Sequence, residues 1–284
     1  MKKAIVLDVD GVIIGEKKGV NTPHPHNLVM DKLQKIKESG IPIVLCTAKP
    51  AFAIEYEIKN AKLDNPHIAD GGGLLVDNVG KVYEKFTLDK VLAKEIINAL
   101  LQKKVYTEVY TADDYFIQAD QECDITDKHA FVLQRRPKIV DSLIDFCDSH
   151  EVSKIMQVVD NESYKSFGDT VFLPFKESST MVWAVHPPIL PLQFGIITAL
   201  GISKPQGVVN IARILDVPLD NILAVGDSTS DWNFMSLCGY VGAMGNASEK
   251  LKELVKTKGD GKYLIGKHVD DNGIIDILDW YINL

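Results

Sequence analysis

Two aspartates, Asp8 and Asp10, follow directly on the apolar run Ala4-Ile5-Val6-Leu7 and stand just before Gly11. Continuous hydrophobicity of this kind is the pattern of a strand covered on both faces, so both carboxylates sit where a buried strand ends. A second such run, Ile41-Pro42-Ile43-Val44-Leu45-Cys46, ends at Thr47, and a third, Ile222-Leu223-Ala224-Val225, ends at Gly226-Asp227. Asp231 follows just inside the next helical segment, within reach of the same place. In open α/β sheets, ligands bind outside the carboxyl ends of the strands. If these strands are neighbours in one parallel sheet, Asp8, Asp10, Thr47, Asp227 and Asp231 converge on one spot. Carboxylates so crowded repel one another and call for a cation, and an all-oxygen set suits Mg²⁺. A single aspartate after a strand is ordinarily a turn residue or a helix cap. The recurrence at successive strand ends is what reads as a site.

The elements that must position these groups alternate. A helical segment over Asn27 to Ser39, closed by Gly40, separates the first two strands, and another runs from Pro50 to Leu63 after the second. Toward the C-terminus, helices are expected over Gln206 to Leu215, Ser230 to Cys238, Ala247 to Lys256 and Ile274 to Ile282, with a strand over Tyr240 to Met244. This alternation is that of a doubly wound, Rossmann-like α/β core with a parallel sheet. The middle differs. A helix over Leu88 to Leu101 precedes strand-like pieces at Val105–Thr111 and Tyr115–Gln118, a helix near Lys138–Cys147, and strands near Ile155–Val159, Thr170–Leu173 and Met181–Val185. The simplest division is a core split in sequence, residues 1–82 and 187–284, with an inserted α/β unit at 83–186.

Composition narrows the function. The 284 residues carry 31 Lys and Arg against 39 Asp and Glu, a net charge of −8. That balance argues against nucleic acid or an anionic membrane as the main partner. No apolar tract approaches the ~18 residues of a membrane span, and the apolar start stops at Asp8, too short for a secretory leader. The four cysteines show no metal or redox spacing and read as free thiols of a cytoplasmic protein.

The motifs are similar in order and residue type to those of the haloacid-dehalogenase-like superfamily. Asp8-Val9-Asp10-Gly11-Val12 resembles its first motif, Thr47-Ala48-Lys49-Pro50 its second, and Lys204 its third. Gly226-Asp227-Ser228-Thr229-Ser230-Asp231 resembles the fourth, while Ala243-Met244-Gly245-Asn246-Ala247 and Asp270-Asp271-Asn272-Gly273 are similar to landmarks of the Cof-type branch, which carries an α/β cap where the insert falls. The resemblance implies a Mg²⁺-dependent phosphatase acting on a small phosphate ester, most plausibly a sugar phosphate. On that reading Asp8 is the nucleophile and Asp10 the general acid and base. Thr47, Ala48 N–H and Lys204 hold the phosphoryl oxygens. Asp8, the Asp10 carbonyl, Asp227 and Asp231 hold the metal.

Three departures stand out. Ala-Lys follows Thr47 where Gly-Arg is frequent, so Lys49 supplies a charge without a fork. Pro205 follows Lys204, and Ser230 stands where Asn is common. Asp70-Gly71-Gly72-Gly73 reads as a hinge turn, not a phosphate cradle, and His24-Pro25-His26 as a loop instead of a metal pair. Asp113, Asp114, Tyr115, Arg135 and Glu162 are polar cap residues within range of facing the site, though each is more simply read as a residue outside it. The same motifs would also serve a phosphomutase or phosphotransferase, and a non-catalytic binding protein on this fold is the remaining alternative.

Overall fold

The computed structural model describes residues 2–284. Ala4–Leu7 is wholly buried and lies between Ile43–Leu45 and Ile222–Gly226, parallel to both. Tyr240–Ala243 and Tyr263–Ile265 extend the sheet beyond Ile222–Gly226, giving five parallel strands. Alternate residues of the first strand face opposite layers. Ile5 and Leu7 pack with Leu33 and Ile36 of the helix Asn27–Glu38 and with Ile277 and Tyr281 of Ile274–Ile282. Ala4 and Val6 pack with Val208 and Ile211 of Lys204–Leu215 and with Leu251 of Glu249–Lys256. Both faces are covered, which is why the run is apolar without alternation. Deleting one of these side chains, Leu7→Ala for instance, is expected to cost about 2–5 kcal/mol.

The helix Asn27–Glu38 begins where His26 accepts the Leu28 N–H at 3.2 Å and ends before Gly40, whose φ of 89° places it in the left-handed region. His26 is thus a cap, and His24 bonds Glu57 at 3.0 Å while stacking on Tyr56, so the two side chains serve different elements. Between Pro50 and Asn60 the chain forms a 3₁₀ turn, Ala51–Ile54, and then the α-helix Glu55–Asn60. A small antiparallel sheet, His67–Ala69, Leu74–Val76 and Val82–Lys85, adjoins the second core strand through the bridge between Cys46 and Ile68.

The inserted unit is a six-stranded sheet in the order Ser179–Ala184, Gln193–Ala199, Lys154–Val159, Tyr106–Tyr110, Tyr115–Gln118, Lys138–Val140. One face carries the helices Lys90–Gln102 and Lys165–Phe172. The other, lined by Tyr106, Tyr110, Tyr115, Met156 and Phe194, rests on Ala48, Phe52 and Ala53 of the core and on the helix Asp124–Leu133.

Three expectations need correction. Gln193–Ala199, assigned by sequence to the core from residue 187, pairs with both Lys154–Val159 and Ser179–Ala184, so the chain returns to the core only after Ala199. An apolar run shows that a strand is buried but not which sheet buries it. Thr170–Leu173, expected as a strand, lies mostly within the helix Lys165–Phe172. The expected helix over Lys138–Cys147 is a strand, Lys138–Val140, followed by the short helix Leu143–Phe146. Short β-branched and aromatic runs fit either form, and tertiary packing decides. A Cβ at Gly168 would come within 2.8 Å of the Trp183 ring, so the helix Lys165–Phe172 sits close on the strand Ser179–Ala184. The helix Asp124–Leu133 was not anticipated.

All four cysteines are free, with only Cys123 exposed. Among the described residues no helix is long and apolar enough to cross a membrane.

Candidate active site

The strand ends converge as the alternation requires. Asp8 N–H donates to the Val225 carbonyl at 3.0 Å and Cys46 N–H to the Leu7 carbonyl at 2.8 Å, so the three strands finish level with one another. Asp8, Asp10, Thr47, Ala48, Lys204, Asp227 and Asp231 all line one cavity of about 240 Å³. The seven residues expected from sequence to act on the phosphoryl group or hold a metal are therefore brought to one place.

Lys204 Nζ lies 2.7 Å from Asp8 Oδ1 and 2.9 Å from Asp231 Oδ1. It is the first residue of the helix Lys204–Leu215, and the backbone before it runs tightly against Gly72. A Cβ at Gly72, whose φ is +110°, would stand 2.3 Å from the Ser203 carbonyl oxygen. The glycine cluster thus seats the helix that presents Lys204.

Oxygens of Asp8, Asp227 and Asp231 lie within 4.8 Å of one another. Burial, only partly relieved by Lys204, pushes the Asp8 carboxyl up to about 7, with Asp231 and Asp10 adding repulsion. Asp227 is held well above the usual carboxylate range by burial and by the charges of Asp8 and Asp231. Asp231 moves the other way. Burial opposes ionisation, but Lys204 and the Ser228 hydroxyl and N–H outweigh it and keep the group ionised. Gly11, with φ +78°, leaves room for Asp227, because a Cβ there would stand 2.1 Å from Asp227 Oδ2. Three close oxygens, two of them reluctant to ionise together, form a donor set that fits a hard divalent cation.

Asp10 faces another set. Its Oδ1 is 2.8 Å from Lys49 Nζ and its Oδ2 is 3.5 Å from His186 Nδ1. Burial would raise this carboxyl, but Lys49 and His186 hold it well below its ordinary value. Burial also depresses His186, although Asp10 pulls the other way. His186 packs against Phe194 and His129. Thr47 Oγ1 accepts the Lys49 N–H at 3.1 Å, so its own proton remains to donate into the cavity.

The cap side of the cavity is lined by Lys165, Trp183, Ala184, Val185 and His186. Sequence reasoning missed these, which carry no motif and come from two separate places in the cap. The five polar cap residues weighed from sequence lie elsewhere. Arg135 pairs with Asp114 at 3.4 Å, Tyr115 donates to the Arg135 carbonyl, Asp113 lines a separate cavity, and Glu162 faces Lys165 from outside at 3.7 Å.

A family model described as haloacid dehalogenase-like hydrolase matches residues 5–278. The chain is similar to Phosphatase YwpJ of Bacillus subtilis, at 24% identity over 275 aligned positions, covering 89% of this chain and 92% of that protein. It is also similar to 5-amino-6-(5-phospho-D-ribitylamino)uracil phosphatase YwtE of the same organism, at 23% identity, covering 98% and 97%. The solved structure of the HAD subclass IIB sugar phosphatase BT4131 superimposes with a TM-score of 0.79 at 18% identity, covering 99% of this chain and 100% of that one.

Proposed function

The chain belongs to the haloacid dehalogenase-like hydrolases, and from that premise we propose that it is a Mg²⁺-dependent phosphatase of the Cof-type branch, acting on a small phosphomonoester of the sugar-phosphate class. One observation carries the reading. A buried carboxylate at the end of an inner strand, Asp8, is gripped by a lysine on one oxygen and grouped with Asp227 and Asp231.

Lys204 occupies Asp8 Oδ1 and leaves the other oxygen to attack phosphorus. The new Asp8–phosphorus bond forms as the bond to the leaving oxygen breaks, and Asp10 delivers a proton to that oxygen. Lys49 and His186 hold Asp10 ionised in the resting protein, so the proton it delivers is taken up with the substrate, from the monoanionic ester or from water, as the phosphoryl charge entering beside it raises its proton affinity. Once ionised again, Asp10 takes a proton from the water that attacks the aspartyl-phosphate, which releases phosphate and restores Asp8. The Thr47 hydroxyl, the Ala48 N–H and Lys204 hold the phosphoryl oxygens through transfer. Asp8, Asp227, Asp231 and the Asp10 carbonyl would hold Mg²⁺, which when bound supplies positive charge to those oxygens. The cap closes the cavity with Trp183, Val185 and His186, which bounds the size of the leaving group.

The sugar-phosphate class rests on two supports. The structural neighbour BT4131 is a sugar phosphatase and the relative YwtE acts on a phosphorylated ribityl compound. A cavity of about 240 Å³ has room for a body of that kind beyond the phosphoryl group.

The test is phosphate release from a panel of sugar and small-acid phosphates, with Mg²⁺ and with chelator, alongside Asp8→Asn. Chelator-sensitive release abolished by the substitution is expected. Equal release by wild type and variant would refute the mechanism. A rearranged ester without free phosphate would replace hydrolysis by phosphotransfer.

A further inference from the structure

Lys154 begins a central strand of the cap and is fully buried, yet its ammonium crosses into the core. It donates to the Ala48 carbonyl at 2.7 Å, pairs with Asp70 at 2.9 Å, and lies 4.2 Å from the centre of the Tyr110 ring. Asp70 is itself fully buried, takes a second bond from the Ser153 hydroxyl at 3.2 Å, and sends its N–H to the Lys49 carbonyl at 2.9 Å. A fully buried lysine is expensive to desolvate and persists where its partners are fixed.

The peptide this lysine grips is the one that joins Ala48 to Lys49. Its carbonyl is held by Lys154 and its N–H by Thr47 Oγ1 at 3.1 Å. The Thr47 carbonyl is fixed in turn by the Gly71 N–H at 3.0 Å. Two consequences follow from that one orientation. The Thr47 hydroxyl, with an acceptor site already used, keeps its proton for the cavity, and the Lys49 side chain is aimed at Asp10 at 2.8 Å. Rotation of the peptide would release both.

We propose that Lys154 is a positioning residue, through which the cap fixes the Thr47–Lys49 loop in its phosphate-binding form. The inference rests on the phosphatase reading of the site, but it concerns a residue that touches neither substrate nor metal. It also gives the cap a role besides covering the cavity, because the phosphate loop is complete only with the cap strand seated on it.

Lys154→Met alone would leave Asp70 buried and unpaired, so the informative variant is D70N/K154M, compared with D70N. Folding of each is checked by circular dichroism and thermal melting. The readouts are binding of inorganic phosphate by calorimetry, and KM and kcat for p-nitrophenyl phosphate in Mg²⁺. Relative to D70N, the double variant is expected to bind inorganic phosphate about tenfold more weakly, the loss set by one charge-assisted hydrogen bond, with KM rising in parallel. Unchanged phosphate affinity and KM in a folded double variant would overturn the proposal. So would D70N/K154M failing to fold while K154M folds with wild-type affinity. Wild type that neither binds phosphate nor hydrolyses the ester would instead refute the phosphatase reading itself.

Discussion

Replacing Asp8 by Asn should stabilise the metal-free protein, and more so as the pH rises. The folded chain keeps a proton on Asp8 up to about pH 7, whereas the unfolded chain releases it near 3.8. Between those values the folded state binds more protons, so stability contributed by this group is fully present below 3.8 and falls as pH rises toward 7. From pH 5 to pH 8 the loss integrates to about 2–3 kcal/mol at 1.36 kcal/mol per pH unit. His67, pushed down to about 4 by burial, works in the opposite direction over part of this range, because its unfolded form takes up the extra proton. A pH series on wild type alone would therefore be blurred. The difference between Asp8→Asn and wild type cancels His67 and reports Asp8 together with the repulsion it exerts on Asp227 and Asp231. At about 2–4 °C per kcal/mol, the gap in Tm in chelator should widen by roughly 4–12 °C between pH 5 and pH 8. Differential scanning calorimetry in EDTA measures it directly. A gap that stays level, or narrows as pH rises, would refute the claim that Asp8 sits in a carboxylate cluster short of positive charge.

Lys204→Met removes the one ammonium shared by Asp8 and Asp231. Losing a positive charge beside the transferring phosphoryl oxygens should lower kcat/KM by about 10²- to 10³-fold; a loss under about tenfold would make Lys204 a structural residue only. Gly11→Ala forces a Cβ to within 2.1 Å of Asp227 Oδ2 at a φ of +78°. Backbone strain of about 1–2 kcal/mol should lower Tm modestly, while the displaced carboxylate raises the half-saturating Mg²⁺ concentration by about tenfold or more, the loss expected for one charged ligand bond. A Mg²⁺ titration of activity that matches wild type would show that Asp227 is not part of the metal set.

The core and its site were legible because the information is local. A buried strand announces itself by continuous hydrophobicity, and the residue that ends it is the next one in the chain, so Asp8, Thr47 and Asp227 could be placed from their runs alone. Lys204 needed the motif resemblance, since nothing in its own neighbourhood says that Gly72, far back in sequence, lets the helix start so close. The cap was less legible because its strands pair across long separations. Gln193–Ala199 reads as buried in any sheet, and only its antiparallel partners assign it to the cap. His186 illustrates the limit. A lone histidine before two prolines gives no sign of lying 3.5 Å from Asp10, because that approach depends on how the cap sheet seats on the core.

The distribution of charge around the cavity accounts for which position is left in need of a cation. Lys49 is committed to Asp10 at 2.8 Å, and burial keeps His186 from adding reliable charge there. Lys204 is divided between Asp8 and Asp231, and Ser228 settles Asp231 further in its ionised form. Asp227 receives no lysine of its own and is the carboxyl held well above its ordinary range by burial and its two neighbours. The deficit of positive charge therefore falls beside Asp8, where the phosphoryl group would also bring its negative charge. Repulsion that weakens the metal-free fold is the same free energy that a divalent ion recovers on binding, so metal affinity and metal-free instability should rise together with pH. The lysines cannot remove that linkage without leaving the carboxylates they already hold.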